Sequence, residues 1–468
     1  MTVSVRWREL QVLPTQAPRA VFLAFALVST AFFTARFWTV IAAGELFHRL
    51  GFDWSLFYAQ AIALRAGEGP NMYDPSEIAE YVQPLLRYSA STANSVSQMP
   101  VPYPPWFAAA IVPLTFLEPP TAFAVWLGVS LLAALFLAYR VSQFLPRLTL
   151  VGALAAILAV VPISWGLFLG QPALLLAIPV GEMMISFKAG RDFRAGLWLA
   201  VLLLKPQYVV LFGLLILWKR RWTAVGGAIL SGLALVVVGV LAAGLPTLLS
   251  FPAALGAIGT DMQDPLAGPT GMMNWRAIIL ALRPGIDDDR GHILFAGMAL
   301  LTAAACLLPW RGPWNPQSSD FAPRFSALTL GTLISSYHSH LHGAALLIVP
   351  LAAAWAAPTF RFATRLAIWV SIYILTFIVI WVTGVLQRLA VSPDANVPLW
   401  TVWPDQLPAP LFVLAFGLMC LDLARRPKHE QPDQGRQSVR QQPWHRVTND
   451  VLVNGVKQRQ VQHRVGDG

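Results

Sequence analysis

Residues 195–221 read Ala195-Gly196-Leu197-Trp198-Leu199-Ala200-Val201-Leu202-Leu203-Leu204-Lys205-Pro206-Gln207-Tyr208-Val209-Val210-Leu211-Phe212-Gly213-Leu214-Leu215-Ile216-Leu217-Trp218-Lys219-Arg220-Arg221, and the way this stretch is threaded decides the fold. A helix that crosses the hydrocarbon core needs about 20 apolar residues, and the run has that length, yet Lys205-Pro206-Gln207 interrupts its middle. Both flanks are basic, with Lys188, Arg191 and Arg194 before the run and Lys219, Arg220 and Arg221 after it. One crossing would place one cluster outside, against the bias that keeps lysine and arginine on the cytoplasmic side. Two short helices that meet at Lys205-Pro206 keep both clusters inside. Pro206 suits the break, because it lacks an N–H and clashes with the preceding turn.

The same reasoning extends to the other apolar runs, 20–45, 121–141, 148–168, 171–188, 222–245, 291–310, 325–357, 363–387 and 407–424. The run 325–357 is too long for one span and is interrupted by His338-Ser339-His340-Leu341-His342, so it becomes two helices that meet near the histidines. Parity then closes at about 12 transmembrane helices, with both ends of the chain cytoplasmic. The inner segments collect Arg140, Arg147, Arg311, Arg324, Arg361, Arg365, Arg425, Arg426 and Lys428, besides the two clusters above. The outer segments hold Asp53, Asp74, Glu77, Glu80, Asp261, Asp264, Asp287, Asp288, Asp289 and Asp394. Trp106 to Leu117 is short and bracketed by Tyr103-Pro104-Pro105 and Pro119-Pro120, which predicts a re-entrant or surface helix on the outer side. The first extracytoplasmic loop, from about Ala43 to Pro120, is therefore large and should contain juxtamembrane helices. One of them, the amphipathic stretch Ser55 to Arg65, is expected to lie along the membrane surface. A second outer loop runs from Pro246 to Arg290.

Composition excludes a soluble enzyme: 56% of residues are hydrophobic, only 12% are charged and mean hydropathy is +0.59, where an ordinary domain carries about 25% charged residues. The net charge of +10 could suggest nucleic acid. The basic residues, however, fall in short clusters between apolar runs, a pattern that membrane orientation explains, and no nucleic-acid partner is expected. Cys306 and Cys420 provide no disulfide framework and read as small buried hydrophobes. Residues 1–19 are polar and carry Arg6, Arg8 and Arg19 without a small-residue cleavage site, so they read as a cytoplasmic N-terminus ahead of a retained span. Residues 20–424 form the transmembrane domain, and the polar, basic stretch 425–468 reads as a disordered cytoplasmic tail. Tryptophans near span ends, such as Trp38, Trp106, Trp218, Trp222 and Trp310, read as an aromatic belt. No phosphate-binding loop, dinucleotide fingerprint or serine-triad signature stands in a credible context. The inner loops are too short to hold a nucleotide-sugar domain, so no nucleotide cofactor is expected.

Several polar residues are costly where they stand. Asp53 sits among aromatics in Gly51-Phe52-Asp53-Trp54-Ser55-Leu56-Phe57-Tyr58. It suits either a general base, its pKa raised by desolvation, or a helix cap. Lys205 is deep in an apolar run, where an ammonium costs several kcal/mol. It is either functional and paired, for example with a lipid phosphate, or it snorkels to the outer surface. His338 and His342 are spaced i, i+4 and would share one helix face with His340 turned away. The glutamate of a zinc-binding H-E-x-x-H pattern is missing, so no metal is expected. A hydrogen-bonding role beside a carboxylate or phosphate, or satisfied interfacial histidines, are the readings left open. Tyr103, Gln171, Asn274 and Arg276 gather on the same side, Arg276 as a forked partner for phosphate oxygens. Glu182 lies nearer the cytoplasmic end and reads as structural, paired with Lys188.

The order Phe52-Asp53-Trp54-Ser55-Leu56-Phe57-Tyr58, Asn71-Met72-Tyr73-Asp74-Pro75, Tyr103-Pro104-Pro105-Trp106-Phe107, Gly170-Gln171, Leu204-Lys205-Pro206 and Trp218-Lys219-Arg220-Arg221-Trp222 resembles glycosyltransferase family 87. These are membrane glycosyltransferases of the GT-C fold, among them polyprenyl-phosphate-mannose-dependent mannosyltransferases, and the resemblance covers about residues 20–360. It implies an all-α polytopic membrane protein that passes a hexose, mannose-like, from a polyprenyl-phosphate sugar to a hydroxyl of a glycolipid or glycan acceptor. Transfer would occur with inversion, on the extracytoplasmic face of a bacterial inner membrane, without nucleotide or metal. Asp53 falls on the acidic position that serves as base in the family, and Lys205 on the lysine of its Leu-Lys-Pro motif. His338 to His342 fall in a segment where members carry a Ser-Pro-containing histidine or aromatic motif. Here Ser335-Ser336-Tyr337 lacks that proline and Gly343 stands in place of an acid. The catalytic candidates are Asp53, His338 and His342. The candidates for substrate binding are Lys205, Arg276, Asn274, Tyr58, Tyr103, Gln171 and His340. The rival class is a transporter or flippase for a lipid-linked sugar, with Lys205, Glu182 and the histidines lining a path, and it is weakened by the lack of an internal repeat. A non-catalytic envelope assembly protein is the third reading.

Overall fold

Helix is the regular secondary structure among the described residues, as expected where backbone groups cannot rely on water for hydrogen bonds. The β contact described is one isolated antiparallel bridge, Met272 to His340. The computed structural model describes residues 51–88, 103–257, 271–357 and 408–424, with 364, 365 and 368. The expected N-terminus 1–19, the first span 20–45, most of the run 363–387 and the tail 425–468 lie outside the described residues.

The first outer region begins with α1 (Phe52–Arg65), a 3₁₀ turn Gly69–Tyr73 and α2 (Pro75–Val82), which Asp74 caps by accepting from Ser76 N. After it come α3 (Pro105–Ile111), continued by a 3₁₀ turn Val112–Phe116, and α4 (Pro119–Phe144). The run 148–168 forms α5 (Leu150–Leu158) and α6 (Val161–Leu169), bent by 72° at the break before Pro162. α7 (Ala173–Lys188) and α8 (Asp192–Val201) follow; two 3₁₀ turns, Leu202–Leu204 and Pro206–Tyr208, then flank Lys205 and lead into α9 (Val210–Trp218). The chain continues through α10 (Trp222–Ala243), α11 (Leu245–Ala257), α12 (Trp275–Leu282) and α13 (Asp288–Leu307). Finally come α14 (Phe321–Ser335), a 3₁₀ segment Leu341–Leu347, α15 (Ile348–Ala356) and α16 (Pro408–Ala424).

Among the described residues, three helices are long and apolar enough to cross a membrane: Pro119–Phe144, Trp222–Ala243 and Asp288–Trp310. The bent pair α5 and α6 makes a fourth if read as one span. Among the described residues, the other expected crossings are shorter pieces, among them the two broken runs. The break at Lys205-Pro206 is present, and so is the break at the histidines.

α4, α7, α9, α14 and α15 build the main apolar core, which contains the buried Leu137, Met183, Phe212 and Phe325. α8 crosses α10 so closely that a Cβ on Gly196 would strike the Ala224 carbonyl and one on Gly227 the Phe193 carbonyl. A second apolar cluster joins α1, α2 and α3 to the start of α4 through Trp54, Phe57, Tyr103, Phe107 and Trp126. This corrects the expectation of a surface-lying amphipathic helix at Ser55 to Arg65. From Trp54 to Leu64 α1 is buried on almost every side, because α2, α3, α6 and the neighbouring 3₁₀ turns surround it, and Arg65 alone of its last turn is exposed.

α4 is roughly 39 Å long at 1.5 Å per residue, and it starts beside α1 and ends at a cluster of ions. There Glu182, 2% exposed, lies 2.5 Å from Arg140 Nε in an off-axis ion contact and accepts a 3.0 Å hydrogen bond from Arg194. The expected partner Lys188 instead donates to the Pro316 carbonyl at 3.2 Å. The correction has a simple cause: Lys188 lies six residues beyond Glu182 on α7, off its helix face, whereas α4 and α8 bring arginines against it. Close by, Arg221 pairs with Asp192. Of the expected aromatic belt, Trp218 and Trp222 are exposed, at 47% and 63%. Trp106 and Trp310 are buried at 9% and 3%, so these two pack the interior instead.

Candidate functional site

Five separated parts of the chain converge at the end of the helices opposite the Glu182 cluster. Asp53 is in the first turn of α1, outside the membrane-crossing helices, and it does not cap that helix, whose N-cap residue is Gly51. Gln171 occupies the turn between α6 and α7. Tyr103 precedes α3, and Lys205 is the joint between two 3₁₀ turns, extended at φ −134° because Pro206 disfavours helix in the residue before it. His342 is in the 3₁₀ segment that follows the second break.

Gln171 links these groups. Its Nε2 donates to Asp53 Oδ2 at 2.6 Å, while its Oε1 accepts from Tyr103 OH at 2.8 Å and from Lys205 Nζ at 3.4 Å. Lys205 Nζ also stands 3.4 Å from His342 Nε2 and 5.2 Å from the centroid of the Tyr103 ring. The snorkelling alternative for Lys205 is thereby corrected: the side chain is 8% exposed and turns inward to the carboxamide and the imidazole. An ammonium can only donate, so His342 Nε2 is the bare ring nitrogen and Nδ1 carries the proton. That Nδ1 is buried without a hydrogen-bond partner, as is Nδ1 of His338. Desolvation raises the Asp53 carboxyl from the ordinary carboxylate value of 3.8 to about 6, against the Gln171 hydrogen bond and the Lys205 charge, which both pull it down.

The histidines do not share a helix face. α14 ends at Ser335, and residues 336–340 are non-helical, with His340 paired to Met272 in the antiparallel bridge. The i, i+4 reading presupposed a helix, and two backbone bonds to the 271–273 segment replace it: Met273 N donates to Ser339 O at 2.9 Å and Leu341 N to Gly271 O at 2.8 Å. His340 is not turned away, since its ring lies 4.7 Å from that of His338 and stacks 5.8 Å from that of His342. Asn274 secures the segment. Its Nδ2 donates to the carbonyls of Ser336 and Tyr337 at 2.8 and 2.7 Å, and its Oδ1 caps α12 through Ala277 N. Arg276, fully buried, stacks 4.8 Å over the Tyr337 ring and is within electrostatic range of His338.

The structure therefore joins Asp53, Gln171, Tyr103, Lys205 and His342 directly and places His338 and His340 next to them. Asn274 and Arg276 stand behind the histidines. Tyr58 is elsewhere, its hydroxyl bonded to Leu117 O at 2.7 Å. Three neighbours escaped the sequence reading. Gln207 donates to His338 O at 3.2 Å, Tyr208 OH lies 3.5 Å from Ser339 Oγ, and His292 Nε2 is 3.1 Å from Tyr337 OH with the rings stacked. Gln207 and Tyr208 directly follow Lys205-Pro206, and that adjacency was the available signal; His292 carried none.

The model of the family described as glycosyltransferase family 87 matches residues 102–336, half of the chain. Tyr103, Gln171, Lys205, Asn274 and Arg276 fall inside the matched segment, Asp53 precedes it and the histidines follow it. No curated protein and no solved structure matches the chain.

Proposed function

The chain belongs to glycosyltransferase family 87, and from that premise we propose that it transfers a mannose-like hexose from a polyprenyl-phosphate donor to a hydroxyl of a glycolipid or glycan, with inversion, on the extracytoplasmic face. A glycosyltransferase replaces the transporter and assembly-protein readings. The observation that carries the finer proposal is the contact chain Asp53–Gln171–Lys205–His342, which sets one carboxylate and one buried ammonium at a common site.

In this reading the ionised Asp53 accepts the proton of the acceptor hydroxyl as that oxygen attacks the anomeric carbon. The bond from that carbon to the phosphate oxygen breaks on the opposite face, and the polyprenyl phosphate departs with the electron pair. Phosphate is a good enough leaving group that one base and a fixed cation suffice. Lys205 supplies the cation, and the Nδ1–H of His342 is a donor in want of an acceptor. An open apolar groove of about 240 Å³ between α8, α9 and α10, with Leu203 and Val209 in its lining, is consistent with a donor that carries a lipid chain.

Membranes containing the protein, incubated with a panel of radiolabelled polyprenyl-phosphate sugars, should label a lipid or glycan product from one of them. Labelling from a nucleotide sugar alone, in membranes that cannot make the lipid-linked form, would overturn the donor assignment.

A further inference from the structure

Asp53 and Gln171 each stand close behind a glycine in left-handed conformation, Gly51 at φ +85° and Gly170 at φ +79°. Both glycines press on the same ring. A Cβ at Gly51 would stand 2.9 Å from Phe123 Cε2, and one at Gly170 would stand 3.1 Å from that same carbon and 2.7 Å from Trp54 Cβ. Neither position admits a side chain, on grounds of both space and backbone angle. The surrounding backbone is tied down as well: Gly51 N donates to Phe168 O at 2.5 Å, Gln171 N to Gly166 O at 2.9 Å and the Trp126 indole to Gly170 O at 2.8 Å.

The orientation of the Gln171 carboxamide follows from its partners. Tyr103 OH and the Lys205 ammonium both point donors at Oε1, so the NH₂ end can only face Asp53. One carboxylate oxygen of Asp53, Oδ2, is thereby occupied. Among the described residues Oδ1 has no such donor. We propose that Gln171, fixed at this two-glycine joint, is a positioning residue for Asp53: it holds one oxygen of the carboxylate and leaves the other for the acceptor hydroxyl. The sequence reading gave Gln171 to substrate binding; the geometry gives it to the base. This rests on Asp53 acting as the base, and the experiment separates the two claims.

The test is pH-difference infrared spectroscopy of the Asp53 carboxyl band in the purified full chain, with Asp53→Asn to assign the band, alongside steady-state transfer. Gln171→Leu removes the hydrogen bond with little change of volume, and Gly170→Ala displaces the joint. In both variants the Asp53 midpoint should move up from about 6 by about one pH unit, since a hydrogen bond to a charged group is worth at least that much. The rate constant kcat should fall while the donor KM stays within about twofold. If Gly170→Ala does not fold, Gln171→Leu carries the test alone. An unmoved midpoint in folded Gln171→Leu, or a risen donor KM with unchanged kcat, overturns the proposal. If Asp53→Asn transfers sugar at the normal rate, the role of Asp53 as base fails, and a midpoint that still moves in Gln171→Leu then leaves the Gln171 contact a structural one without a part in transfer.

Discussion

Lowering the pH should switch the reaction off through a single carboxyl group, at a pH set by its surroundings. Asp53 has its pKa raised from 3.8 to about 6, with desolvation outweighing the Gln171 hydrogen bond and the Lys205 charge. A base must be ionised to accept a proton, so the rate follows the ionised fraction. With a midpoint near 6 that fraction is about nine-tenths at pH 7 and about a tenth of that at pH 5, a roughly tenfold loss over two units. The sign for stability is opposite. A carboxyl whose pKa is higher in the folded protein than in the unfolded chain favours the fold when protonated, and that contribution is lost as pH rises through 6. Asp53 itself therefore does not promote unfolding as the rate declines. The assay is initial rate at saturating donor from pH 4.5 to 8, with thermal unfolding measured on the same samples. The predicted profile is a limb of unit slope centred near pH 6 in a protein that remains folded at pH 5. Lys205→Met removes a charge that lowers the Asp53 pKa and should push the limb upward. A limb in the ordinary carboxylate range near 4, or one that coincides with unfolding, would refute the reasoning.

Lys205→Met should also raise the donor KM and lower kcat/KM by about 10- to 100-fold, the worth of a hydrogen bond to a charged group; an unchanged donor dependence removes Lys205 from the phosphate site. Glu182→Ala leaves the guanidinium of Arg140, 20% exposed, without its carboxylate, while that of Arg194 at 44% can reach solvent. Stability should therefore fall by about 3 kcal/mol, the lower end for a broken buried pair, as read by denaturation in detergent; an unaltered midpoint would show the cluster to be dispensable. Asn274→Ala removes the helix cap and two bonds to the histidine segment. The expected cost is about 2 kcal/mol or more, together with faster amide exchange at Met273 and Leu341. Unchanged protection there would mean that the bridge to His340 holds without the asparagine.

The parts of this fold legible in the sequence were those that interrupt an apolar run. Lys205-Pro206 and the three histidines declared their breaks because a charge, a proline or an imidazole cannot sit in a continuous membrane helix without compensation. Charge distribution likewise separated the end that bears Arg140, Arg194 and Arg221 from the end that bears Asp53. What stayed hidden was pairing across long sequence distances. Glu182 is met by Arg140 from α4 and Arg194 from α8, which no local spacing encodes. The histidine segment owes its extended form to the 271–274 stretch, some 60 residues away, and helical spacing therefore misread it. α1 looked amphipathic because Ser55 and Gln60 interrupt it. Both are buried, and Gln60 donates to Met72 O at 3.2 Å. The candidates Asp53, Tyr103, Gln171 and Lys205 could be named one by one, but the central position of Gln171 required the side chains to be seen together.

The most direct test of the account uses purified protein in lipid vesicles, a labelled polyprenyl-phosphate mannose and its acceptor, with wild type beside Asp53→Asn. Wild type should form a glycosidic bond of inverted configuration and release polyprenyl phosphate, whereas Asp53→Asn should bind the donor with similar affinity yet form no product. Product formed by Asp53→Asn at the wild-type rate, or product of retained configuration from wild type, would contradict it.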